Sequence, residues 1–362
     1  MQQTMGLMER IRRVPSGIRE ARPRTALQEA KRMGLEKVAT INGLHFYHVG
    51  AEHGWAENEM FQRFHRDVYT KSIAPGEAIP MEAFLQLNEA RKAGQIGAGL
   101  HGMVAFNRKG ELVGGGSGVY LHGAKAGFIG YNAISREHRG GGAGTAMNEA
   151  FKKLFFKKYK GTRWILGESD VLPQEHKLNG ETVERYQQYG NPWDRVRWKA
   201  QKLGRKLLRL PTGGQYMQPE MKSMEMEKTP LNLHVELFHE GGRPRAVEGF
   251  HELVPRRQGE TEEQYQDRVH RHATDMTLNL MHSIYGELPP YHFGFQNQTT
   301  RTRLIAQALG VRPRDIGQNA QGKVNYDLLR RQGGFGLENP LIELNASQQH
   351  QYQQFLQMRR AA

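Results

Sequence analysis

Ile134-Ser135-Arg136-Glu137-His138-Arg139-Gly140-Gly141-Gly142-Ala143-Gly144-Thr145 is the stretch whose reading decides the fold of this chain. Before it, residues 126–134 form an apolar run bounded by Gly123, the pattern of a strand. After it, Met147, Ala150, Phe151, Leu154 and Phe155 recur at helical spacing and predict a helix over 143–159. Glycines between a strand and a helix let the backbone curl so that successive N–H groups point into one space. The helix start adds unpaired N–H groups and the positive end of its dipole. Arg139 would add a formal charge at the rim. Together these features make a cradle for a pyrophosphate, although glycine content alone equally describes a plain link between strand and helix.

Two common phosphate loops fit worse. A Walker-type loop ends in Gly-Lys-Ser/Thr, and Gly144-Thr145-Ala146 lacks the lysine. The dinucleotide fingerprint aligned on Gly140 and Gly142 needs glycine at position 145, which is Thr145, and finds Arg163-Trp164 where an acidic strand end is expected.

Outward from the loop, residues 101–107 and 112–121 read as strands around the turn Arg108-Lys109-Gly110-Glu111. A first strand is predicted near Leu44–Val49. Phe61, Phe64 and Val68 mark a helix face, and 81–93 forms a second short helix after Pro75 and Pro80. Residues 163–167 make a short strand, 194–203 a basic helix ending at Gly204, and 215–218 with 231–238 two last strands. Thr261-Glu262-Glu263-Gln264 matches a capping box, followed by the helical stripe Tyr265, Val269, Met276, Leu280, Ile284. Residues 300–309 predict another helix, and the tail from Ser347 is glutamine-rich. The domains expected are a basic arm over 1–36, an α/β domain over 37–242 and a mainly helical extension over 243–362.

The chain has 362 residues and no cysteine, which excludes disulfides, thiolate metal sites and a cysteine nucleophile. Its net charge of +14 favours polyanionic partners: nucleic acid, an anionic surface or a phosphorylated cofactor. No run of ~18 apolar residues spans a membrane, and no secretory signal opens the sequence, so a cytoplasmic protein is expected. No histidine cluster has ligand spacing, so no metal is predicted.

The pattern Arg139-x-x-Gly142-x-Gly144, between an apolar strand and an amphipathic helix, resembles the acyl-CoA signature of the GNAT superfamily of N-acyltransferases. The element order over residues ~40–240 is similar to that fold, which implies an α/β architecture, a mixed central sheet flanked by helices. The resemblance implies that the amides of Gly140, Gly141, Gly142, Ala143, Gly144 and Thr145, with Arg139, hold the pyrophosphate of acetyl-CoA or another acyl-CoA. Asn132 to Ile134 would pair with the pantetheine arm, in a gap where the signature strand and the next one splay apart. An amine-bearing acceptor, small molecule or protein, would then take the acyl group by direct attack.

Here the sequence departs from the family. The strand over 126–134 carries no carboxylate, so Glu168 at the end of the next strand is the candidate base. Tyr186-Gln187-Gln188-Tyr189-Gly190 matches the family's tyrosine motif literally and makes Tyr186 the candidate acid. The better-placed helix, from Asn191 to Gly204, carries Trp198 and Lys199 instead. Two rivals follow: a CoA-binding module without chemistry that recruits nucleic acid or protein, and an aminoacyl-tRNA-dependent transferase. The basic run Arg195, Arg197, Lys199, Lys202, Arg205, Lys206, Arg209 reads first as a solvated face. Residues 300–317 have helix-turn-helix spacing, interrupted by Gly317, Asn319 and Gly322. The extension could wall the acceptor site or form a homodimer. Gly114-Gly115-Gly116 reads as a site of sheet bending.

Overall fold

Strand alternation around the central meander produces a sheet whose order positions everything else. The computed structural model describes residues 24–50, 54–73, 78–139, 141–170, 200–209, 216–219, 228–240, 243–287 and 335–338. Among them lie strands β1 (Glu36–Ile41), β2 (Leu44–Gly50), β3 (Gly99–Phe106), β4 (Leu112–Leu121), β5 (Ala126–Ile134), β6 (Trp164–Asp170), β7 (Lys206–Arg209), β8 (Tyr216–Pro219), β9 (Lys228–Phe238), β10 (Ala246–Val247) and β11 (Gly336–Glu338). They form one mixed sheet in the order β1-β2-β3-β4-β5-β6-β9-β7-β11, with β8 and β10 also pairing β9. Only β5 and β6 run parallel among the described strands. Parallel neighbours need a crossover, and the helix α4 (Ala143–Lys158) supplies it.

The first helix, α1 (Ala26–Arg32), opens on a capping box between Thr25 and Gln28. Helix α2 (Glu59–Phe64) runs through a π-helical turn (His65–Tyr69) to Ser72. Helix α3 (Met81–Lys92) starts directly after Pro80, as expected. These helices bury Phe61, Phe64, Tyr69, Phe84 and Leu87 on one face of the sheet, and α4 buries Met147, Phe151, Leu154 and Phe155 on the other. Helix α5 (Glu262–Glu287) begins at the predicted capping box, with Gln264 N–H donating to Thr261 Oγ1 and Thr261 N–H to Gln264 Oε1. Its Met276, Leu280, Met281 and Ile284 join the core that holds Val235 and Leu237. No helix among the described residues is long and apolar enough to cross a membrane.

Three expectations change. Periodicity assigns no strand to 36–41, yet β1 pairs β2 around Asn42 and Gly43, both at positive φ (51° and 75°). That Asn-Gly dipeptide is the local signal for such a hairpin. Gly114–Gly116, flanked by register shifts at Val113 and between Gly116 and Gly118, also serves close approach: a Cβ on Gly115 would lie 2.7 Å from the Phe64 ring and 2.6 Å from the Met103 carbonyl. Arg205, expected on a solvated face, is 2% exposed. Residues 243–287 and 335–338 of the extension also contribute two strands besides helix α5. The helix predicted over 300–309, the helix-turn-helix spacing, the glutamine-rich tail and Trp198 lie outside the described residues.

Candidate active site: an amide cradle beside a divided strand pair

The loop after β5 delivers the cradle. A short 3-10 turn (Arg136–His138) leads to Gly141 (φ 50°) and Gly142 (φ 78°). Gly142 is the N-cap of α4 in the left-handed conformation, where a side chain would cost about 1–2 kcal/mol. No side chain caps this helix, and its first turn holds no carboxylate. The first helical bond runs from Ala146 N–H to Gly142 O at 2.8 Å. The amides of Ala143, Gly144 and Thr145 therefore have no acceptor within the helix. A Cβ placed on Gly141 or Gly144 would meet nothing within 4 Å, so the backbone here borders open space. These amides and the helix dipole suit an anion. Of the predicted cradle residues, Gly140 lies outside the described set.

Arg139 braces the cradle from below. Its Nε–H donates to Ile134 O at 3.0 Å and its Nη2 to Ser72 O at 3.2 Å. Ser72 Oγ donates to the same Ile134 carbonyl at 3.3 Å. The guanidinium thus ties the end of β5 to the end of the α2 segment. On the other side the tip of the β1–β2 hairpin closes in, with Asn42 Nδ2 3.1 Å from a Cβ built on Gly142.

The gap expected from the resemblance has a visible cause. β5 and β6 pair only over Ala126–Phe128 and Trp164–Leu166. Beyond that, Gly116 faces Asn132 and Gly118 faces Ile129, so Gly130 and Tyr131 share the place opposite Ser117. Such a bulge bends its strand, and it bends β5 away while β6 stays paired with β9 as far as Asp170. Ser135 N–H donates to Val113 O at 2.9 Å. By alternation the backbone groups of Asn132 and Ile134 then face the gap. The Ile134 carbonyl is already taken by Arg139 and Ser72, which leaves the Ile134 amide and the Asn132 amide and carbonyl facing the gap. Glu168 stands in β6 opposite Leu233, two residues beyond the last β5–β6 pair. Tyr186 lies outside the described residues.

Two features flank the gap. On the helix face opposite α4, Tyr131 is 37% exposed at the gap, and its ring meets those of Tyr69 and Phe84 edge-on at 6.3 and 6.2 Å. On the α4 face, Arg205 Nη1 donates to His234 Nδ1 at 3.0 Å and Nη2 to Asn148 Oδ1 at 3.1 Å. Burial lowers the Arg205 pKa to about 10, against the raising influence of Glu236 and Glu149, so it stays a cation at neutral pH. Nothing local in the basic run around Arg205 announces its burial.

An open cavity of about 570 Å³ lies elsewhere, lined by Arg91, Lys92, Ile96–Gly99, His122 and Tyr159. It sits at the far end of α4, ~24 Å from the cradle at 1.5 Å per helical residue. Behind it His48 Nε2, His101 and Tyr159 OH form a hydrogen-bonded chain at 2.9 and 2.7 Å. It contains none of the predicted site residues. Among the described residues no three His, Asp or Glu side chains gather as metal ligands would.

No protein-family model and no curated protein matches the sequence. Solved structures do. The likeness is to GNAT acetyltransferases. A ribosomal L7/L12 α-N-protein acetyltransferase in complex with coenzyme A is 13% identical, covering 56% of this chain and 98% of its own, with a TM-score of 0.33. A spermidine N-acetyltransferase variant from Vibrio cholerae is 15% identical, covering 54% and 95%, with a TM-score of 0.31. For nourseothricin acetyltransferase the identity is 14% and the TM-score 0.24, and this chain spans 64% of that protein's length with 38% of its own. The likenesses to the L7/L12 and spermidine acetyltransferases span a little over half of this chain.

Proposed function

We propose that this chain is an N-acyltransferase that moves an acetyl or other short acyl group from acyl-CoA to an amine. One observation carries the reading: three helix-start amides without an acceptor in the helix open onto free space past the end of β5, at the far end of the stretch over which β5 runs unpaired from β6, beyond Phe128 and Leu166. A diphosphate on the cradle would leave its arm running into the gap along Asn132. The amine would enter from the Tyr131 face. Its nitrogen attacks the thioester carbon, the C–S bond breaks, and the electron pair leaves on sulfur. Glu168 is the proposed acceptor of the ammonium proton, because it stands in the strand that borders the gap. Donors facing the gap from the backbone would stabilise the oxyanion.

Calorimetry with CoA and acetyl-CoA tests the cradle. Wild type is expected to give heat, and Gly144→Glu, which has room in the fold but places a carboxylate over the amides, is expected to weaken binding at least ten-fold. Equal affinity in the variant would refute the cradle. Release of CoA thiol with a panel of amines tests the chemistry, and Glu168→Gln should slow it. Tight CoA binding without turnover across the panel would favour the non-enzymatic rival.

A further inference from the structure

A guanidinium carries five N–H donors in a fixed fork and keeps its charge at any ordinary pH. Among the described residues, two of Arg205's donors have acceptors, His234 Nδ1 and Asn148 Oδ1, and its buried Nε–H has none. Among the described residues no carboxylate forms an ion pair with the group. Glu149 and Glu236, which oppose it at longer range, are both already paired with Lys152, at 3.0 and 2.8 Å. A buried cation with unused donors and no contacting anion is costly.

Its position is informative. A Cβ on Gly167 would collide with Arg205 Nη1 and with the His234 ring. Gly167 is the first residue of β6 past its last pair with β5, Leu166 with Phe128. The guanidinium therefore occupies the α4 side of β6 at the base of the gap, in the place that a side chain at 167 would fill. Asn148, its second partner, lies one turn along α4 from the cradle and donates to Gly144 O at 2.9 Å.

We propose that Arg205 is the anion site for the sulfur of coenzyme A, holding the thiolate that leaves when the amide forms. The inference rests on the acyltransferase reading and goes beyond it by assigning the leaving group to a cation. The N–C bond forms, the C–S bond breaks, sulfur takes the electron pair, and the guanidinium balances that charge in a low-dielectric site. One ammonium proton goes to the base before attack, the second nitrogen proton passes to water once the N–C bond has formed, and that water protonates the thiolate as it departs. No tyrosine acid is needed, which suits a chain whose Trp198 and Lys199 stand where that tyrosine is expected. Besides Arg205, the charged or titratable groups described around this point are Glu149 and Lys152 of α4 and His234 and Glu236 of β9.

The test binds CoA to the full chain and follows thiolate absorbance against pH. Wild type should show about ten-fold more thiolate than free CoA at neutral pH, equivalent to about 1.4 kcal/mol. Arg205→Met should bind CoA by calorimetry yet return the thiol to its free behaviour, and Arg205→Lys should fall between. A purely structural arginine would change the melting temperature and leave the thiol alone. A wild-type measurement guards against a variant that fails to fold: the affinity ratio of CoA to S-methyl-CoA should rise with pH. An unshifted thiol with normal CoA heat, or a shift that survives in Arg205→Met, overturns the role of Arg205 and spares the acyltransferase reading. Absence of any CoA heat removes both.

Discussion

The side-chain amide of Asn148 donates to the Gly144 carbonyl at 2.9 Å, one helical turn back in α4, while its oxygen accepts from Arg205. A cradle residue is thereby joined through two side chains to His234 in β9, on the far side of the gap. Asn148→Ala removes both bonds and leaves a further guanidinium donor buried without an acceptor. We expect a loss of about 1–3 kcal/mol in denaturant unfolding together with weaker CoA binding in calorimetry. A variant as stable as wild type would show that the connection holds nothing.

Gly142 and Gly144 should respond oppositely to alanine. Gly142 has a φ of 78° and faces Asn42 at 3.1 Å, so Gly142→Ala should lower stability by about 1–2 kcal/mol. Gly144 has free space around it, and Gly144→Ala should leave stability unchanged or raise it by up to about 1 kcal/mol. Melting curves of the two variants, compared side by side, decide the matter. A matching loss in both would mean that the helix start is built differently.

The Phe64 ring rests against the bare backbone of Gly115. Gly115→Val must push that ring or the β3 strand aside, at a cost of about 1–3 kcal/mol or more. Urea unfolding measures it. Because the contact lies under the bulge-bearing strand pair, a tolerated valine would contradict the packing described here.

Acid should weaken the fold before any carboxylate titrates. Burial, reinforced by the neighbouring charges of His48, Lys158, Arg91 and His122, holds His101 well below its ordinary value of 6.5. As pH falls through 6.5 the unfolded chain therefore takes up a proton that the folded chain refuses. Stability then declines by up to about 1.4 kcal/mol per pH unit for this group. Burial also lowers His270 and His272, which act in the same direction. Glu36, held below its ordinary 4.5 chiefly by Lys157, contributes only at lower pH. Denaturant midpoints compared at pH 7 and pH 5 should fall in wild type and fall less in His101→Gln. A parallel fall in both proteins would exclude His101 as a source.

At the start of α5, Thr261 and Gln264 exchange reciprocal bonds. Thr261→Ala should cost about 1 kcal/mol, read as a lowered melting temperature.

Local signals carried the sequence reading a long way. The strand over 126–134, the helix from 143, the turn at Gly110, the cap at Thr261 and the glycine cradle follow from φ preferences and hydrophobic period, which act within a few residues of chain. Asn42-Gly43 was equally legible as a hairpin and would have placed β1 against the cradle. Other features had no local trace. Whether Arg205 lies in water or under β6 depends on Gly167, Asn148 and His234, three residues on three different elements. The gap depends on one extra residue in β5 opposite Ser117, and β11 is a strand only because it finds β7. Burial and strand register are settled by the summed packing of distant segments, so the sequence by itself determined the cradle and its flanking elements, and the tertiary structure alone decided what stands across the gap from them.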